Sequence, residues 1–143
     1  MTQLDAETIA YAHRMFDLAR SGATEELSAQ VDAGLPANLT NDRGDTLLIL
    51  AAYHNHTGTV AALLERGADP DRANDRGQTA LAAAVFRQNP DAAGTLLRAG
   101  ADPHAGAPSA VATAEFFKLP EMAALLARGA ADAAPRDEKT GPE

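Results

Sequence analysis

"NDRGDTLLILAAYHN" runs from Asn41 to Asn55, and "NDRGQTALAAAVFRQ" runs from Asn74 to Gln88. The glycines Gly44 and Gly77 stand 33 residues apart, and so do the threonines Thr46 and Thr79. The flanks keep the interval: "ALLERGADP" (Ala62–Pro70) returns as "TLLRAGADP" (Thr95–Pro103), 33 on at every shared letter. Upstream, Leu27, Val31 and Gly34 precede Val60, Leu64 and Gly67 by the same 33. Downstream, "LLARGA" (Leu125–Ala130) puts Gly129 only 29 after Gly100, and Gly106 is likewise 29 after Gly77. Four residues are therefore expected to be missing between Asp102 and Gly106, where "DPHAG" replaces "DPDRANDRG". A fixed period of this length marks stacked supersecondary units, each too small to bury its apolar face alone. Four units are expected, at about 5–40, 41–73, 74–105 and 106–134.

Each unit repeats one local chemistry. Thr46 and Thr79 stand where a helix N-cap is wanted, so that the hydroxyl oxygen takes an orphan N–H of the first turn. A first helix follows, with Leu48, Ala51 and Ala52 on one face and Leu81, Ala84 and Val85 at the matching places. Asn89-Pro90 then reads as a cap followed by proline at the first position of a second helix. The buried stripe of that second helix is expected to be Val60, Leu63 and Leu64 in one unit and Ala93, Leu96 and Leu97 in the next. Gly67, Gly100 and Gly129 are placed as left-handed C-caps, and Pro70 and Pro103 stop continuation. "NDRG" is turn material, so the opening stretch is a turn leading into a helix. In the last unit Pro108 takes the threonine position, which predicts a later helix start capped by Ser109.

The period, the turn followed by two helices, and Thr-x-Leu followed by alanines resemble the ankyrin repeat, whose signature is T-P-L-H-x-A. The resemblance covers about residues 8–134, with "GADP" and "DRGxT" as its specific motifs. Departures are Leu47 and Ala80 in place of the proline, and Ile49 and Ala82 in place of the histidine, so the hydrogen bonds of that histidine cannot form. The resemblance implies an all-α solenoid of helix-turn-helix units with projecting turns. At the N-terminal end, Asp5 is expected to cap a long first helix to about Arg20, with Leu4 and Ile9 as a hydrophobic staple. Gln30, standing where other units carry Leu63, Leu96 and Leu125, fits an outward-facing N-terminal cap. Residues 135–143 have charge, proline and glycine without periodicity and read as a disordered tail.

Composition narrows the function classes. A net charge of −8 opposes binding to nucleic acid, whose affinity comes chiefly from cations at phosphates. Without cysteine, neither disulfides nor thiolate metal sites hold the fold. Apolar runs such as Leu47–Tyr53 fall far short of the ~20 residues a membrane span needs, and Asp5 and Glu7 stand where a signal peptide would be basic. The chain reads as cytoplasmic, with no membrane association, and as a monomer by default. Arginine well in excess of lysine, with abundant alanine, suggests a GC-rich bacterial genome.

The ankyrin resemblance implies a non-enzymatic protein-binding module whose concave face is formed by the turns and the first helices. Carried over by position, the turn residues are Asp42, Arg43 and Asp45, then Asp75, Arg76 and Gln78, and the exposed first-helix ends are Arg20 and Ser21, Tyr53 and His54, Phe86 and Arg87, and Glu115 and Phe116; the partner-binding set is Arg43, Asp45, Tyr53, His54, Arg76, Gln78, Phe86, Arg87 and Phe116. Tyr53 and Phe86, 33 apart, are expected side by side. The shortened "DPHAG" connection is expected to leave a notch beside Phe116 and Phe117. One alternative is an inhibitor or immunity-type partner of a dedicated bacterial enzyme or toxin. Another is a metal-binding or catalytic accessory using His54 and His56; on a helix these point about 200° apart, they converge only if the helix ends there, and acidic or thiol partners are lacking nearby. No catalytic residues, metal ligands or cofactors are assigned: Ser21, Ser28 and Ser109 sit in no nucleophile elbow, and "RSGATEE" lacks the glycine spacing and lysine of a phosphate loop.

Overall fold

The hydroxyls read as caps are caps in the computed structural model, which describes residues 5–133. Thr46 Oγ1 accepts from Ile49 N at 3.0 Å and Thr79 Oγ1 from Ala82 N at 3.1 Å. Ser109 does the same for Ala112 N at 3.0 Å, and Asn89 for Ala92 N at 3.1 Å. Asp5 caps the first helix through Thr8 N at 2.8 Å. Leu4, its proposed staple partner, lies outside the described residues, as does the stretch 135–143.

Eight helices follow in pairs among the described residues: α1 (Ala6–Ser21) with α2 (Thr24–Asp32), α3 (Leu47–Tyr53) with α4 (Thr57–Glu65), α5 (Ala80–Phe86) with α6 (Pro90–Arg98), and α7 (Ala110–Phe116) with α8 (Pro120–Ala133). The odd-numbered helices stack as one layer and the even-numbered as a second, each touching its neighbours in the series. The core lies between the layers. It is built from Leu48, Ala51 and Ala52 on α3, Leu81, Ala84 and Val85 on α5, and Val60, Leu63 and Leu96 on the second helices. Zero-exposure alanines on α3 and α5 let the layers approach closely. Leu64, expected in the buried stripe, is only partly buried beside it. Pairing is locked by a left-handed residue after each short helix, Asn55, Gln88 and Lys118.

Repeated side-chain bonds stitch one unit to the next. Asn38 Oδ1 accepts from Asp69 N at 2.7 Å, and Asp71 Oδ1, 33 residues later, accepts from Asp102 N at 2.8 Å. Gln30 takes the Tyr11 hydroxyl on its Oε1. His56, at the N-cap position of α4, makes no side-chain cap bond; its Nε2 lies 2.8 Å from the Arg20 carbonyl, joining the second unit to the first.

The register of the last unit differs from the sequence expectation. Asp71 N bonds Asp69 Oδ1 and His104 N bonds Asp102 Oδ1, both at 2.9 Å, so the interval of 33 persists past Asp102. Beyond the turn it becomes 30, relating Thr79 to Ser109 as caps, Gln88 to Lys118 as left-handed residues, and Pro90 to Pro120 at helix starts. Three residues are missing, not four, and they are missing between Gly106 and Ser109: the five residues Asn74–Gln78 are replaced by Ala107 and Pro108. Leu126, 1% exposed, is accordingly the counterpart of Leu96, and Leu125 is not. Gly129 is no C-cap. It lies inside α8, where an added Cβ would stand 2.5 Å from Leu97 Cδ1, so its lack of a side chain lets α8 pack onto α6.

Candidate functional site

The projecting turns build the rim of the site. Asn41 Oδ1 accepts from Arg43 N and Asp45 N, both at 2.9 Å, while Asn41 N bonds Asp45 O at 3.0 Å. Asn74 repeats this with Arg76 N at 3.0 Å and Gln78 N at 2.9 Å. Asparagine suits the place because its carboxamide closes a turn on its own backbone. Gly44 and Gly77 take φ of 77° and 81°, and a Cβ on Gly77 would stand 2.8 Å from the Ala107 carbonyl. The two fingers touch: Asp75 N donates to Arg43 O at 3.0 Å, and Asn74 Nδ2 donates to Asp45 Oδ1 at 2.8 Å and Gln78 Oε1 at 2.9 Å.

Beneath the fingers, α3, α5 and α7, with Arg20 at the end of α1, line an open groove of about 490 Å³. Eight of the residues carried over from the sequence line it: Arg20, Arg43, Asp45, Tyr53, His54, Arg76, Gln78 and Phe86. Arg87 stands outside this lining, its guanidinium 5.3 Å from the centre of the Tyr53 ring in cation–π geometry. Phe116 also lies outside the lining, 77% exposed, and with the interval of 30 it is Phe116, not Glu115, that matches Phe86. Phe117 completes the row instead, 5.5 Å from Phe86 edge to face.

Tyr53 and Phe86 stack with centroids 6.2 Å apart and planes 8° from parallel. Both remain exposed, at 41% and 46%. His54 sits edge-on to Tyr53 at 5.2 Å. Partial burial holds its pKa below the usual imidazole value, and the nearby His56, Arg20 and Arg87 lower it further. That shift favours the neutral imidazole, and the fixed positive charge of the groove lining is carried by Arg20, Arg43 and Arg76.

Groove residues that the sequence left as scaffold are Ile49, Leu50, Ala82 and Ala83 on the floor, and Pro108 and Thr113 at the last unit. Ile49 and Ala82 occupy the places of the absent family histidine, which the repeat register alone identifies. The expected notch is occupied in part: Gly106 and Ser109 pair as a β-bridge, Ala107 N donates to Gly77 O at 2.9 Å, and Pro108 closes that end.

Paired helices stacked in two layers, with turns overhanging a concave face, define a helical repeat solenoid. A family model described as "Ankyrin repeats (3 copies)" matches residues 15–107, and the chain belongs to the ankyrin-repeat family. A protein of Pseudomonas aeruginosa (strain PAO1) that bears an ankyrin repeat name is 50% identical over 58 residues, which cover 41% of this chain. Those residues amount to 34% of the relative, so the chain spans about a third of the curated protein it matches. Ankyrin repeats mediate protein–protein interaction, and the family is typically a non-enzymatic interaction module. Among the described residues no helix is long and apolar enough to cross a membrane.

Proposed function

We propose that the four helix pairs act as one binding module and that a segment of a partner protein docks in the groove beneath the fingers. The observation that carries this is the aromatic row: Tyr53, Phe86 and Phe117 keep 41%, 46% and 49% of their surfaces exposed while ordered against one another. Aromatics and arginines held rigidly at the centre of a concavity are the residues that most often carry binding energy at protein interfaces. Packing among the rings accounts for their mutual orientation but leaves about half of each in water.

The test is recovery of a partner from the native cell extract on wild-type protein and on the Tyr53→Ala/Phe86→Ala variant. The partner's affinity is expected to fall by at least about ten-fold, or roughly 1.4 kcal/mol, while the thermal melt is nearly unchanged. A partner that binds both proteins equally removes the groove from the interface.

A further inference from the structure

Resting on the groove reading, we infer that its occupant is an extended acidic peptide segment with one apolar anchor, its carboxylates beneath the finger arginines and its anchor side chain at the end closed by Pro108, Thr113 and Phe117.

The charge argument starts from imbalance. The chain has 20 acidic residues against 12 basic ones, yet the groove lining holds Arg20, Arg43 and Arg76 against a single carboxylate, Asp45. That carboxylate already takes the Asn74 carboxamide at 2.8 Å. The fingers contain Asp42 and Asp75 beside these arginines, but neither lines the groove. Among the described residues, Arg20 pairs with Asp17 at 2.8 Å, whereas Arg43 and Arg76 pair with no carboxylate. A chain rich in acid thus leaves two cations uncompensated above one concavity, which selects carboxylates by charge complementarity and by forked hydrogen bonding.

The anchor follows from the missing third finger. Where the second finger carries Asn74–Gln78, the last unit has only Ala107 and Pro108 before Ser109, so no third arginine overhangs this end. Pro108 and Phe117 line it instead, with Phe86 alongside. The groove carries one arginine from each of the first three units, Arg20, Arg43 and Arg76, and is apolar at the last. Three first helices stacked at ~10 Å intervals span roughly 20 Å, the length of about six extended residues.

Selection of displayed random peptides of roughly twelve residues, about twice that length, tests this directly. The expected winners carry net negative charge and a leucine or aromatic residue near one end. Their binding weakens with added salt and falls about ten-fold in Arg43→Glu/Arg76→Glu, but not in Arg98→Glu on the opposite layer. Both finger arginines are exposed, and a thermal melt checks that the reversed variant is folded. Salt dependence on wild-type protein serves as the readout that needs no variant. Neutral or basic winners that are lost in Tyr53→Ala/Phe86→Ala overturn the acidic occupant and leave the groove standing. Winners indifferent to both double variants, or no winners at all, bring down both readings. Self-association of the purified chain that the arginine reversal abolishes, or preference for a single-stranded oligonucleotide over the acidic peptides, likewise overturns the inference.

Discussion

The second finger and the connection that follows the third repeat do the same topological job with different numbers of residues. Asn74–Gln78 uses five, closed by one asparagine side chain and hydrogen-bonded to the finger before it. Ala107-Pro108 uses two, closed by the bridge between Gly106 and Ser109. The helices on either side take no notice: Thr79 and Ser109 cap in the same way, and Leu96 and Leu126 are equally buried. The stack is therefore held by caps and core, which leaves finger length free to vary. Within the fingers, the exception is a residue that serves two of them at once.

Asn74 is that residue, 8% exposed, with its carboxamide nitrogen on Asp45 and Gln78 and its oxygen on two amides. Asn41 closes its own turn in the same way, but its carboxamide nitrogen reaches only Asp45, at 3.5 Å. Asn74→Ala is expected to destabilise the protein by about 2–3 kcal/mol, because it leaves partly buried donors and acceptors without partners. Asn41→Ala should cost about 1 kcal/mol. Chemical denaturation of both variants measures the difference, and equal losses would show the fingers to be independent of one another.

How far the sequence discloses this molecule depends on how local each interaction is. Asp5, Thr46, Thr79, Asn89 and Ser109 were legible as caps because each bonds an amide three residues away. The period placed Tyr53 beside Phe86 for a similar reason, since one interval maps every unit onto the next. The deletion was misplaced because letters were matched to letters. Gly106 resembles Gly77 and "LLARGA" resembles "LLRAGA", yet hydrogen bonding sets Gly106 in the place of Ala73 and buries Leu126 where Leu125 was expected. That slip concealed Pro108 as a groove residue and put Phe116 in the row, with Phe117 named only beside the expected notch. The bond from Asn74 to Asp45 had no sequence signal, since it depends on how closely two fingers stack. Ile49 and Leu50 on the floor were indistinguishable from core positions, being apolar and nearly buried.

Restoring the missing finger sharpens the comparison further. Replacing Ala107-Pro108 with Asn-Asp-Arg-Gly-Gln lengthens one surface connection and returns the interval to 33. Loop closure costs only about 0.6 kcal/mol for each doubling of length, so stability is expected to change by roughly 1 kcal/mol or less. A grafted arginine would then overhang the apolar end, and an acidic peptide with its anchor there should bind more weakly even though total positive charge has risen. A large loss of stability would instead show that the two-residue connection, through the bond from Ala107 N to Gly77 O, helps to hold the last pair in place.

The smallest effect separates the two ends of the groove by pH. His54 lies among the residues of the cationic end, and its pKa in the folded protein is lowered, first by burial and then by His56, Arg20 and Arg87. A lowered folded-state value means that the unfolded chain takes up this proton first as pH falls. Stability is therefore unaffected by His54 above the ordinary imidazole value, declines as pH drops from there to the folded value, and levels off below it. A carboxylate bound nearby reverses part of that shift, so an acidic peptide should bind with proton uptake and slightly more tightly at pH 6 than at pH 8. Proton NMR of the His54 ring measures both: its midpoint should lie below that of a free histidine and move upward when peptide is added. Arg87→Gln should raise the midpoint of the free protein by removing one of the repelling charges, whereas Phe117→Leu, which changes no charge, should leave it in place.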